Sequence, residues 1–122
     1  MSKDEKTKPS IRPRLRIIAG KNIAFGPGKA DLLEALEKTG SITKSAAQMG
    51  MSYMRAWTLI RTMNQSFREP LVAAMRGGIR GGGGARLTPT GRQVLALYRG
   101  MESQCLAALR PDWRKLQKLL RD

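Results

Sequence analysis

The sequence contains no histidine and only one cysteine, Cys105. The lack of histidine removes the commonest general base and the commonest metal ligand of proteins. A single cysteine allows neither an intrachain disulfide nor a zinc site built from thiolates. Because the nine acidic residues are scattered along the chain, they form no catalytic constellation. We therefore expect a protein that is not an enzyme and that uses no metal or cofactor.

Long apolar runs are also missing. No stretch approaches the roughly 20 consecutive apolar residues that a membrane helix requires. The polar start, MSKDEKTKPS, lacks the apolar segment of a secretory signal peptide. These absences predict a cytoplasmic protein without a membrane partner.

Basic charge is abundant. The 122 residues include 23 lysines and arginines and carry a net charge of +14, which favours a polyanionic partner. The stretch from residue 41 to residue 92 holds eight basic residues and one acidic residue, Glu69, whereas an ordinary solvated surface mixes signs. We therefore expect double-stranded DNA as the partner of a nucleoid-associated protein. A nonspecific nucleic-acid or RNA-binding protein is the alternative, although aromatic residues for base stacking make up only 5%.

The order of patterns predicts a mainly α fold with a small β component, a winged helix-turn-helix followed by a long dimerisation helix. We assign residues 1–13 to a disordered basic arm, 14–89 to the winged helix-turn-helix and 90–122 to C-terminal dimerisation helices. β-prone runs at 15–18 and 22–25 predict a small hairpin. Gly26-Pro27-Gly28 then begins a helix that ends at Gly40.

The helix-turn-helix lies between residues 41 and 68. Ser41 caps a short helix, Gly50 forms the turn, and Ser52 caps a second helix that Pro70 ends. One side of that helix is apolar and faces the core, and the opposite side faces DNA. Trp57 sits at the edge, where core packing is an equal interpretation. The residues predicted to bind DNA here are Ser52, Tyr53, Met54, Arg55, Thr58 and Arg61, with Ser41 and Lys44 on the DNA backbone. Whether the arginines bind guanine or phosphate stays open.

A wing is predicted after the second helix. Strand-forming residues from Leu71 to Met75 precede RGGIRGGGGAR, and a return strand ends at Leu87. Glycine lets the backbone approach the sugar–phosphate wall, and arginines at a hairpin tip suit the minor groove. A flexible linker is the alternative, whereas a P-loop is disfavoured because no Lys-Ser or Lys-Thr follows the glycines. The wing residues predicted to bind DNA are Arg76, Gly77, Gly78, Arg80, Gly81, Gly82 and Arg86.

A long amphipathic helix is predicted over 90–109, where Arg110-Pro111 breaks it, and Asp112 caps a last short helix. The apolar stripe of the long helix either packs on its own domain or forms a dimer interface. We favour the dimer interface because the helix is long. The predicted interface consists of Val94, Leu97, Tyr98, Met101, Cys105 and Leu109. Cys105 is interpreted as a buried apolar residue. A dimer would bind a pseudo-palindromic operator.

Taken together, SITKSAAQMGMSYMRAWTLIRTMNQ and RGGIRGGGGARLTPTGRQVLALYR resemble the N-terminal DNA-binding domain of the ModE family, over about residues 14–109. That family comprises bacterial molybdate-responsive regulators related to the LysR-type winged helix. The resemblance implies a homodimer joined by the helix after the wing. No C-terminal molybdate-binding domain is recognised in the 122 residues, so we expect DNA binding without molybdate sensing by this chain. A separate ligand-sensing partner is unknown.

Overall fold

The computed structural model of the protein describes residues 8–75 and 84–121. Four helices and two antiparallel strand pairs make up these residues. In chain order they are β1 (Ile17–Ala19), β2 (Asn22–Phe25), α1 (Pro27–Thr39), α2 (Ile42–Gln48), α3 (Tyr53–Ser66), β3 (Val72–Met75), β4 (Gly84–Leu87) and α4 (Pro89–Gln117). The mainly α winged helix-turn-helix with a long final helix is confirmed.

The first hairpin joins β1 to β2 through a tight turn at Gly20. Gly20 has φ +64°, a left-handed conformation that a residue without Cβ adopts without strain. The strands pair antiparallel, with a shift of register between Ile17 and Ile18. The hairpin ends at Phe25, which is fully buried. The predicted hairpin is therefore confirmed, with the first strand starting two residues later than residue 15.

The helices of the helix-turn-helix begin and end at the capping residues that the sequence predicted. Gly40 (φ +66°) ends α1, and the Ser41 hydroxyl accepts a hydrogen bond of 3.1 Å from the Lys44 backbone N–H at the start of α2. Gly50 (φ +67°) forms the turn between α2 and α3. The Ser52 hydroxyl then accepts from the Arg55 backbone N–H at 3.0 Å. These caps satisfy helix-end N–H groups, so they fix where each helix begins.

The stem of the wing is attached to the start of the helix-turn-helix. β3 and β4 pair from Val72↔Leu87 to Met75↔Gly84. The Ala85 N–H donates to the Gly40 carbonyl at 3.1 Å, and Gly84 forms an isolated bridge with Ser41. The predicted strands are thereby confirmed. The predicted wing-tip contacts Arg76, Gly77, Gly78, Arg80, Gly81 and Gly82 lie outside the described residues.

One apolar core holds all these elements together. It contains Leu32, Leu33 and Leu36 from α1 and Ala56, Ile60 and Met63 from α3. Phe25 lies at its aromatic centre, edge-on to Tyr98 at 5.1 Å and to Phe67 at 6.1 Å between ring centroids. Edge-to-face pairs of this kind are favourable beyond the area they bury. The core therefore fixes α4 and the first hairpin against the helix-turn-helix.

The final helix departs from the sequence prediction. α4 is a single helix from Pro89 to Gln117 with Pro111 inside it, so the predicted break at Arg110-Pro111 and the cap at Asp112 are wrong. Proline removes one helical hydrogen bond. Good helix formers on both sides, among them Leu109 and Arg114, favour continuing the helix. Because Pro111 is exposed, water can satisfy the carbonyl that loses its N–H partner.

An ion-pair cluster joins α4 to α1. The Arg99 guanidinium contacts Glu34 at 2.6 Å, Asp31 at 2.8 Å and Glu102 at 2.9 Å. Hydrogen bonding to Glu34 raises the pKa of Arg99 further above its usual range. Arg92 pairs with Glu37 one step along the same interface.

Among the described residues, no helix is both long and apolar enough to cross a membrane.

Candidate nucleic-acid interface

Helix α3 presents the predicted DNA-binding face to solvent. Its buried side carries Ala56, Ile60 and Met63. On the other side, Met54 is 65% exposed and Tyr53 43% exposed. The remaining predicted residues of this helix and its cap are also exposed: Ser52, Arg55, Thr58 and Arg61. The tertiary structure therefore brings all six predicted residues to the surface of one helix.

Trp57 is the residue of α3 whose place the sequence left open. It is 37% exposed, and its spacing of four residues from Tyr53 and from Arg61 puts it in one row with them. A large aromatic side chain in this position is not part of the buried core. Trp57 therefore belongs to the exposed face, although sequence reasoning left it out. Its spacing was the signal that could have placed it there.

The predicted backbone contacts lie at the start of α2. Ser41 is half-buried because its hydroxyl caps the helix and its backbone borders β4. Lys44, one turn along, is exposed. Ser41 thus stabilises the first turn of α2, and Lys44 supplies a cation at that end of the helix.

The described part of the wing holds one of the predicted contact residues, Arg86. In β4 it is exposed between the buried Ala85 and Leu87, as the alternation of a strand requires. Asn64 fixes the base of the wing to α3. Its side-chain oxygen accepts from the Leu71 N–H at 2.8 Å and the Val72 N–H at 3.1 Å, and its amide donates to the Val72 carbonyl at 3.0 Å. Sequence reasoning missed Asn64, because no local pattern shows which loop its side chain contacts.

Charge is segregated across the domain. Four of the acidic residues lie where α1 meets α4 and are paired with Arg92 or Arg99. Within residues 8–75 and 84–121, neither Arg55 nor Arg61 takes part in an ion pair. The face of α3 therefore carries positive charge that the described part of the protein leaves uncompensated, and a polyanion would relieve the resulting repulsion.

The predicted dimer residues occupy different environments on α4. Tyr98 is 1% exposed, and Val94 packs against the domain's own core. Leu97 is 60% exposed, Met101 44% and Leu109 36%, with Cys105 half-buried. Tyr98 therefore has no surface left to give to another chain, and Val94 is partly covered by its own domain, whereas Leu97, Met101 and Leu109 keep the largest exposed apolar surface.

This geometry defines a winged helix-turn-helix protein, with an exposed basic face on its second motif helix and a strand-pair wing stem beside it. The sequence matches the family described as bacterial regulatory helix-turn-helix protein, lysR family, over residues 29–92. Because the match covers more than half of the chain, from α1 into α4, the chain belongs to this family.

Individual relatives show a more specific similarity than the family match does. The chain is 44% identical over 86 residues to the molybdenum transport protein ModE of Azotobacter vinelandii, covering 70% of this chain and 32% of that protein. It is 41% identical over 79 residues to the molybdenum-pterin-binding protein MopB of Rhodobacter capsulatus, covering 65% and 29%. It is 42% identical over 72 residues to the DNA-binding transcriptional dual regulator ModE of Escherichia coli, covering 59% and 27%. The chain thus spans about a third of the length of the curated relatives it matches. The resemblance to the ModE family is confirmed for that part.

Proposed function

We propose that this protein is a transcriptional regulator that binds duplex DNA as ModE-type proteins do, with α3 in the major groove and the wing beside it. The observation that carries the proposal is the exposed row Tyr53, Trp57 and Arg61 on α3. It lies on the second helix of the motif, the position that enters the major groove in helix-turn-helix proteins. A basic side chain in this row binds a guanine edge or a phosphate, and aromatic side chains contact thymine methyl groups or sugars.

We further propose that two copies pair through α4 and bind a pseudo-palindromic operator. The C-terminal half of α4 carries apolar residues spaced three or four apart, which places them on one side of the helix. Leu116 is 51% exposed, and Leu109, Cys105 and Trp113 share its side. Leu97 and Met101 extend the apolar surface toward the domain. A second copy of α4 would cover this stripe, and symmetry would then present two recognition helices to the same face of DNA.

Selection of bound duplexes from a random pool, followed by titration of the enriched duplex, tests the regulator proposal. We expect an enriched site with two related half-sites and an affinity about a thousandfold or more above that for unrelated duplex. Titration of single-stranded DNA and of structured RNA at the same salt concentration distinguishes the regulator from a nonspecific nucleic-acid-binding protein. Equal affinity for all four nucleic acids would instead identify a nonspecific nucleic-acid-binding protein.

A further inference from the structure

A groove with a basic lining runs beside the recognition helix. It has a volume of about 270 Å³ and lies between the segment that precedes β1, the start of α1 and the first half of α3. Four of its lining residues are basic, and none is acidic. These cations come from distant parts of the sequence and meet only in the folded chain: Arg14, Arg16, Lys29 and Arg55.

The segment that supplies Arg14 and Arg16 is held in place by the domain core. Leu15, between them, packs against the core, and its carbonyl accepts a hydrogen bond of 2.7 Å from the Tyr98 hydroxyl. Side chains alternate here between exposed and half-buried, as in an extended chain, so both arginines lie on the outer side. The sequence pattern predicts a disordered arm over residues 1–13, whereas Arg14 and Arg16, just after it, are positioned by the anchored Leu15 between them.

The residues that line the groove carry positive charge and include no acidic residue, although Arg14 also borders a neighbouring pocket that Asp31 and Glu102 line. Among the described residues, Arg14, Arg16 and Arg55 form no ion pair. The Lys29 ammonium donates to the Ile23 carbonyl at 2.7 Å, and burial lowers the pKa of Lys29. An anion in the groove would favour the charged form of Lys29 and would reduce the repulsion among the four cations.

The groove is open to solvent at the start of α1. A Cβ built on Gly28 would meet no atom within 4 Å, so this part of the groove is open to a bulky anion. Arg55 belongs both to the groove lining and to the exposed face of α3. A strand of DNA contacted by the first turn of α3 would therefore continue directly into the groove.

We propose that this groove binds the sugar–phosphate backbone of the duplex beside the recognition helix, with Arg14 and Arg16 as its phosphate-binding side chains. The inference rests on the proposed DNA-binding function and adds a second point of attachment, from outside the helix-turn-helix and the wing. Contacts of this type fix the position of the protein on DNA and carry no base preference.

A charge placed in the groove tests the proposal. Gly28→Glu puts a carboxylate in open space in the first turn of α1, where acidic residues stabilise a helix, so the fold is retained. Gly28→Gln is the matched neutral control. We expect Gly28→Glu to weaken binding of the selected duplex and of unrelated duplex by the same factor, about tenfold, and Gly28→Gln to change both by much less.

A second variant removes the groove's own cations. Arg14→Gln with Arg16→Gln is expected to reduce the slope of log affinity against log salt by about two, one for each lost phosphate contact. Wild-type affinity and slope for duplex in Gly28→Glu and in the double variant would overturn the groove proposal. Failure of the wild-type protein to bind any duplex would overturn the regulator proposal itself.

A free anion is distinguished by a separate measurement. If the groove serves a small phosphate ligand, inorganic phosphate raises the melting temperature of the wild-type protein more than sulfate at equal ionic strength does. Loss of that effect in Gly28→Glu, together with unchanged duplex affinity, would overturn the assignment to DNA.

Discussion

The Tyr98 hydroxyl donates a hydrogen bond of 2.7 Å to the carbonyl of Leu15, 83 residues earlier in the chain. This bond joins α4 to the segment that carries Arg14 and Arg16. The same tyrosine ring packs edge-on against Phe25 at the end of the first hairpin. Tyr98 thus links the proposed dimer helix, the core and the basic groove through a single side chain.

Removal of this hydroxyl tests the link. Tyr98→Phe keeps the ring contact with Phe25 but leaves the Leu15 carbonyl without its donor, so we expect the free energy of unfolding to fall by about 1 kcal/mol. Urea denaturation measures the change. Tyr53→Phe is the control, because Tyr53 is 43% exposed, and its loss of a hydroxyl is expected to change stability by less than about 0.5 kcal/mol. Equal effects of the two variants would contradict the link.

The same residue predicts a dependence of stability on alkaline pH. Burial, with the nearby Glu102 carboxylate as a second cause, raises the pKa of Tyr98 above its ordinary value of about 10. The folded protein therefore holds this proton more tightly than the unfolded chain does. Its contribution to stability is complete below that ordinary pKa and is lost as pH rises through the higher folded value. Tyr98→Phe should lose less stability than wild type across this range in urea titrations.

Two glycines of α4 offer a matched pair of substitutions. A Cβ at Gly91 would collide with the backbone carbonyl of Leu71, whereas a Cβ at Gly100 would meet nothing within 4 Å. Gly91→Ala should therefore lower the free energy of unfolding by about 1–3 kcal/mol through overpacking. Gly100→Ala should raise it by about 0.5–1 kcal/mol, because alanine is the better helix former. Thermal unfolding followed by circular dichroism would show melting shifts of opposite sign, and stabilisation by both would contradict the packing.

The predicted DNA-binding face of α3 implies that a substitution there weakens DNA binding. Arg61→Ala should weaken binding of the selected duplex by about tenfold to a hundredfold if Arg61 contacts a guanine, with little change for unrelated duplex. If it contacts a phosphate, both affinities should fall together and the salt slope should decrease by about one. Arg110→Ala on α4 removes the same charge away from this face. Fluorescence anisotropy at several salt concentrations separates these outcomes, and unchanged affinity for Arg61→Ala would remove it from the interface.

The stripe on α4 predicts the oligomeric state. Leu109→Glu places charge in the proposed interface, and Arg110→Glu places it on the neighbouring residue outside the stripe. Each dimer would lose the remaining burial of two leucines and would hold two carboxylates against apolar surface, so we expect dimer dissociation to become at least about tenfold easier for Leu109→Glu. Sedimentation equilibrium measures this directly. A wild-type protein that stays monomeric at all concentrations would contradict the interface.

Local signals were sufficient wherever one residue decides a boundary. Ser41 and Ser52 cap α2 and α3, and Gly40 and Gly50 adopt the left-handed conformations expected of them. At Pro111, in contrast, the local signal predicted a break in a helix that is continuous. A proline breaks a helix only when its lost hydrogen bond outweighs the preference of the flanking residues, and that balance is not visible in a single residue.

The sequence by itself determined the positive charge that favours a polyanionic partner, the helix-turn-helix and the apolar side of each helix, because charge, capping and periodicity are properties of neighbouring residues. Only the tertiary structure decided that Tyr98 is buried, that Asn64 holds the wing stem and that Arg14 and Arg16 lie beside Lys29 and Arg55. These relationships join residues far apart in the chain. They arise from packing against a shared core, which no local pattern specifies.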